Sequence, residues 1–296
     1  MAKRPRLALV IGSGGLKCAA AVGVMQVLEE EHIDVDMVVG CSGGAVFGAC
    51  IAMGWSSERI VEAHSRTWTE EVTKKLDYLS LLKIGFPSLM GFDDHIGIFD
   101  DRVMVENIER GYGPESTFAN TKIPFHCVAT DFHTGEQVVI SEGSLAEAAR
   151  ISSGIPIVFK PVEWKGKLLI DGGFSNPLPV DVAIQEGADV IIAIGFEMPL
   201  QPSVTSPGNF ANQMFNILVN QLLAKKFAFY NLAHHSEIIT IIPEFKEDIK
   251  ISDVSKMPTI IEQGRKEMLK HVTYLKKMLA SPTANINYRS HDESLY

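Results

Sequence analysis

Positive charge, paired cysteines and long apolar runs are all scarce in this chain of 296 residues, and each shortage closes a class of function. Asp and Glu outnumber Lys and Arg by 36 to 27, a formal net charge of -9. Such a surface repels phosphate backbones, which excludes nucleic acid as a natural partner and disfavours electrostatic adhesion to anionic lipid. It leaves open a membrane substrate reached through apolar surface. The four cysteines, Cys18, Cys41, Cys50 and Cys127, show neither C-x-x-C nor zinc-ligand spacing. Three lie among apolar or small residues, the setting of reduced, buried thiols. The first apolar run, Leu7 to Ile11, stops after five residues. A secretory leader needs more, and a transmembrane helix needs ~20. The expectation is a soluble, cytoplasmic protein, at most peripheral at a membrane.

What is present is ordinary for an enzyme-sized globular chain: 46% hydrophobic and 21% charged residues, enough to bury a sizeable core. One domain is expected over residues 1–280, with a loose polar tail over 281–296. Leu7-Ala8-Leu9-Val10-Ile11 reads as a buried strand, residues 17–31 as a helix and Met37-Val38-Val39 as a second strand. This βαβα beginning with short connections is the mark of a parallel sheet covered by helices. Residues 56–113 read as helix and loop. Strands follow at 125–130, 137–140 and 167–171, with a short helix at 145–151 between the second and third. Val190 to Ile194 and Ile238 to Ile242 are continuous apolar runs, as buried parallel strands are. The span 253–279 reads as a long last helix.

Two glycine-rich turns carry the chemistry. Gly40-Cys41-Ser42-Gly43-Gly44 joins the second strand to a small-residue helix and matches G-x-S-x-G, the sharp turn that exposes a nucleophilic serine at a helix N-terminus. The plainer reading makes Ser42 a helix cap. Gly12-Ser13-Gly14-Gly15-Leu16-Lys17 follows the first strand. It fits neither a P-loop nor a dinucleotide fingerprint, which would need Gly where Lys17 stands. The alternative is an oxyanion hole from the N–H groups of Gly14 and Gly15, with Lys17 adding positive charge. Asp171, at a strand end before Gly172 and Gly173, is the leading general base; Asp-Gly also serves as a simple self-capping turn.

These blocks, with Ser152-Ser153-Gly154-Ile155-Pro156 and Asp171-Gly172-Gly173-Phe174-Ser175-Asn176-Pro177 in the same order, resemble the patatin-like phospholipases, their bacterial members above all, over residues 7–182. The resemblance implies an α/β three-layer sandwich with a largely parallel central sheet. It also implies a Ser42–Asp171 dyad without histidine, an oxyanion hole at Gly14, Gly15 and Lys17, and motif support from Gly12, Gly40, Gly43, Gly44, Gly172 and Gly173. The reaction it implies is acyl-ester hydrolysis on phospholipids, lysophospholipids or related fatty-acyl esters, with no metal and no cofactor. Lys17 stands where the family most often has Arg, and lacks the bidentate fork. Cys18 stands where the family has Gly, and Gly43 where it has a small residue.

The same dyad also suits an acyltransferase or thioesterase, and the same fold a non-catalytic lipid-binding regulator. His126, His133, His234, His235, His271 and His291 read as structural or surface residues. His95, beside Asp93 and Asp94, reads as part of a solvated loop. Two apolar segments are candidates for a lid or acyl channel. Residues 210–232 read first as a core-packed helix, and residues 84–99 hold glycines able to hinge.

Overall fold

A computed structural model describes residues 4–67, 75–100, 102–247 except 231–236, and 249–280; side chains 207, 208 and 227–230 are also left aside. The expected tail 281–296, with His291, and His234 and His235 lie outside the described residues, as do the side chains of Phe227, Phe229 and Tyr230.

Strands β1 (Leu7–Ile11), β2 (Met37–Cys41), β3 (Phe125–Asp131), β4 (Gln137–Ile140), β5 (Val162–Trp164), β6 (Lys167–Asp171), β7 (Val190–Ile194) and β8 (Glu237–Ile241) form one sheet. Its order is β5-β6-β3-β2-β1-β7-β8, with β4 also on β3. The pairs joining β3, β2, β1, β7 and β8 are parallel. The β3–β4, β3–β6 and β5–β6 pairs are antiparallel. The parallel half is the buried half: β1, β2 and β7 are covered on both faces. That is why these strands read as unbroken apolar runs rather than as alternation.

The period of two still sorts their side chains. Leu7, Leu9, Ile11, Val38 and Ile192 join one core. Ala8, Val10, Val39, Ile191 and Ala193 join the other. Helices α1 (Ala20–Glu30), α2 (Gly43–Ala52), α7 (Leu145–Ser152) and α10 (Met257–Ala280) cover the first face. Helices α8 (Val180–Gln185) and α9 (Pro207–Tyr230) cover the second, with Leu223 of α9 in that core. Helices α3 (Ser57–Thr67) and α6 (Arg102–Tyr112) extend the first layer. The layering is the three-layer α/β arrangement expected. Among the described residues no helix is long and apolar enough to cross a membrane.

Three local differences from the sequence reading have physical causes. The expected helix at 17–31 begins as a 3-10 turn, Gly15–Ala19, and becomes α-helical only at Ala20. The glycine loop must turn sharply there, and Gly15 takes φ 56°. Helix α9 is not core-packed throughout. Phe215, Val219 and Leu223 are buried, whereas Phe210, Met214 and Ile217 face solvent. Residues 84–99 fold into the end of α4 (Tyr78–Gly85), the short α5 (Pro87–Met90) and a loop, and α5 buries no residue.

Helices α1 and α10 pack so closely that only glycine fits at two facing points. A Cβ on Gly23 would stand 1.9 Å from the Ile261 carbonyl oxygen, and one on Gly264 would stand 2.0 Å from that of Ala20. Both obstacles are main chain and cannot rotate away. Gly264→Ala gains ~1 kcal/mol of helix propensity but must part the helices, an overpacking cost of about 1–3 kcal/mol plus lost contacts. The melting temperature is expected to fall by about 3–8 °C, with turnover per folded molecule unchanged. A rise in melting temperature would show that the two helices part freely.

Candidate active site

The loops that leave the carboxyl ends of β1, β2 and β7 meet where the strand order reverses: β1 is followed in space by β2 on one side and β7 on the other. This is the place where open α/β sheets bind ligands. A cavity of about 380 Å³ opens there, and its walls come from those loops: Ser13 to Lys17 after β1, Ser42 after β2, and Met198 and Pro199 after β7.

Ser42 occupies a left-handed backbone position, φ 55° and ψ -124°, between β2 and α2. A non-glycine residue tolerates this strained conformation only where its surroundings enforce it. One enforcing bond comes from far along the chain. The Ser42 N–H donates to Ser152 Oγ at 2.9 Å, and Ser152 Oγ donates to the Val128 carbonyl at 2.6 Å. Ser152 thus ties the elbow to β3. The sequence placed Ser152 in a motif block but gave no sign of this role, because the bond spans 110 positions. Ser42 makes no side-chain cap to its own helix. Its Oγ donates instead to Asp171 Oδ2 at 2.8 Å.

Asp171 ends β6 and is fully buried. Its two carboxylate oxygens have separate partners. Oδ1 accepts from the Gly173 N–H at 2.7 Å, capping the 3-10 turn Gly172–Phe174, while Oδ2 accepts from Ser42. Its main chain is fixed by Thr130 Oγ1, which donates to the Asp171 carbonyl, and by its own N–H to Gly154. Burial pushes the carboxyl up from its ordinary range to about 7, against the two hydrogen bonds, from Gly173 and Ser42, that favour the ionised form.

Gly15 faces the elbow, while Gly14 packs against Phe196. A Cβ on Gly43 would stand 2.4 Å from the Gly15 carbonyl and 2.8 Å from its nitrogen, so loop and elbow touch main chain to main chain. Gly14 precedes the 3-10 turn and Gly15 opens it, so neither N–H has a partner within the turn. Lys17 borders the cavity, but its ammonium donates to the Glu197 carbonyl at 2.9 Å and lies over the Phe245 ring. Lys17 also lines a neighbouring cavity, together with Met198 and Pro199. Cys18 fits without displacing the loop: its Sγ is fully buried and donates to the Gly12 carbonyl at 3.3 Å. At Gly12, Gly40 and Gly172 any Cβ would press on neighbouring main chain. At Gly173 it would meet Asp171 Oδ1, the Phe215 ring and Ser13 Oγ.

Two site features escaped sequence reasoning. Ser13 Oγ is buried on the cavity wall with no hydrogen-bond partner among the described residues. Phe47, on the cavity wall, stacks on His64 with ring centroids 4.0 Å apart. His64 is buried, donates from Nδ1 to Ile60, and is held neutral, its pKa pushed down to about 4 by desolvation. His95 pairs with Asp94 at 2.8 Å on the surface. Among the described residues no three His, Cys, Asp or Glu side chains converge as metal ligands would.

A profile of the patatin-like phospholipases matches residues 9–184, which spans both glycine turns, Ser42, Ser152 and Asp171. The chain belongs to the patatin-like phospholipase family. An uncharacterized NTE family protein of Mycobacterium tuberculosis is 35% identical over 190 residues, covering 64% of this chain and 49% of that one. The neuropathy target esterase sws of Drosophila melanogaster is 34% identical over 193 residues, 64% of this chain and 13% of that one. The alignment thus spans about half, or far less, of these curated relatives. The crystal structure of VipD from Legionella pneumophila superposes with a TM-score of 0.47 at 13% identity, covering 92% of this chain and 67% of that one.

Proposed function

We propose that this protein is a lipid acyl-ester hydrolase of phospholipase A or lysophospholipase type, working through Ser42 and Asp171. The observation that carries the reading is the 2.8 Å hydrogen bond from Ser42 Oγ to a buried carboxylate, with Ser42 on the wall of an apolar cavity. Asp171 takes the Ser42 proton as Oγ attacks the ester carbonyl. The oxyanion rests on the N–H groups of Gly14 and Gly15, where each donor contributes ~3 kcal/mol to the transition state. The ester C–O bond then breaks, Asp171 returns the proton to the departing alkoxide, and an acyl-Ser42 remains. Water loses a proton to Asp171 and attacks the acyl carbon, freeing the fatty acid and restoring Ser42. Val46, Phe47, Val158 and Phe159 line the space left for the acyl chain. Ser13 Oγ offers a further hydrogen bond to a polar group of the substrate or to that water.

The raised carboxyl explains how a carboxylate serves as base near neutrality. Only the ionised form accepts the Ser42 proton, so kcat/KM for a p-nitrophenyl acyl ester is expected to rise tenfold per pH unit below about 7 and to level off above it. A profile that stays flat through that value would remove Asp171 as the base. The same assay with glycerol or lysolipid as acceptor separates hydrolysis from acyl transfer.

A further inference from the structure

Helices α4 and α5 stand off from the rest of the fold. Ser80 is the one residue of α4 that is buried, and α5 has none. What they present outward is apolar: Tyr78 is 73% exposed, Phe86 59% and Leu89 81%, with Leu79, Leu82 and Phe92 also exposed. Soluble surfaces rarely gather so many large apolar side chains without a use for them. Lys83 is the one charged residue between positions 78 and 92, and it is paired with Asp93.

The segment is tied to the cavity wall. The N–H groups of Ile98 and Phe99 donate to the carbonyls of Ile157 and Val158, and Val158 lines the cavity. A second exposed apolar ridge borders the same opening. Asn209 and Asn212 of α9 line the cavity, while Phe210 (61% exposed), Met214 and Ile217 project from the adjoining stripe of that helix. Ile157 and Ile251 add exposed apolar surface beside further lining residues.

Two separate apolar ridges with almost no charge, one hydrogen-bonded to the cavity wall and the other beside its lining residues, suit a fluid hydrocarbon surface, which needs no fixed shape. Protein partners are usually specified by charged and hydrogen-bonding groups at the rim. From this placement we infer that α4–α5 and the outer stripe of α9 form a docking surface for a phospholipid bilayer, seating the cavity opening against the lipid. The inference rests on the reading of the cavity as a lipid-ester site. With a net charge of -9 the attachment is apolar rather than electrostatic.

Co-sedimentation with phosphatidylcholine vesicles tests this. Wild type is expected to bind at low and high salt alike, with no gain from added anionic lipid. Phe86→Ser/Leu89→Ser and, separately, Phe210→Ser/Met214→Ser are expected to lower partitioning at least about tenfold, since each removes two large apolar anchors. These side chains are exposed, so both variants keep the wild-type melting temperature. Ser42→Ala is sedimented in parallel and binds as wild type does, so the docking result is independent of the catalytic assignment. Binding that needs anionic lipid, vanishes at high salt or survives both double substitutions would overturn the inference. So would a wild-type dimer that Phe86→Ser/Leu89→Ser converts to monomer, which assigns the surface to a second copy of the chain.

Discussion

Ester turnover is expected to fall about ten-thousand-fold or more in Ser42→Ala, by a comparable factor in Asp171→Asn, and no further in the double variant. Residues that act as one unit fail as one unit, so the losses do not add. The Asn variant is the sharper probe. Its amide keeps the shape of the carboxyl, its Oδ1 still accepts from Gly173, and its Nδ2 donates to Ser42 Oγ, so the architecture survives while the base is gone. Stability should move the other way. The buried carboxyl binds its proton up to about 7, against 3.8 for an ordinary Asp. Between those values the native state holds more protons than the unfolded chain, so wild-type stability declines as pH rises through the window. Asp171→Asn has no such decline. Above about pH 7 it should therefore melt at or above the wild-type temperature while being inactive. Turnover of a p-nitrophenyl acyl ester and thermal melts at two pH values read both effects. An Asn variant that is both inactive and strongly destabilised would make Asp171 a structural cap and nothing more.

Gly44→Ala is expected to cost about a hundredfold in kcat and to lower the melting temperature. A Cβ at this position would stand 2.1 Å from the Ile11 carbonyl oxygen and 2.7 Å from that of Gly12. Ile11 ends β1 and Gly12 follows it, leading directly into the Gly14–Gly15 loop. The methyl can be admitted only if α2 backs away from β1, and the elbow then parts from the amides that face it. A displacement of about 1 Å is enough for a loss of that size, and the overpacking adds about 1–3 kcal/mol of destabilisation. Steady-state kinetics on the folded variant should show the loss mainly in kcat. An unchanged kcat would mean that the elbow and the glycine loop are positioned independently.

Much of the fold is legible in the sequence itself. The unbroken apolar runs at 7–11 and 190–194 mark parallel strands, because strands buried on both faces have no polar side to show; the run at 238–242 also forms a parallel strand, β8, but at the sheet edge and only half-buried. Ser42 and Asp171 were legible because strained turns demand glycines in set places, and glycine patterns are local. What stayed hidden was non-local. Nothing near Ser152 reveals that its hydroxyl will hold Ser42. Nothing near Gly23 reveals the helix that crosses it. Lys17 sat in the expected loop, yet its ammonium turns to Glu197, a choice made by the β7 loop about 180 positions away. The division of α9 into a packed and an exposed stripe was equally unreadable, since both stripes are apolar. The strand β5 is three residues long and half-buried, too short to leave a pattern.

The central claim is that Ser42 is the group that becomes acylated, and covalent capture tests it most directly. The purified protein, treated with a fluorophosphonate that carries a long alkyl chain, is digested and the modified residue located by mass spectrometry. The account predicts one adduct per chain, on Ser42, absent in Ser42→Ala and formed far more slowly in Asp171→Asn. An adduct on another residue, or ester turnover that persists at the wild-type rate in Ser42→Ala, would contradict it.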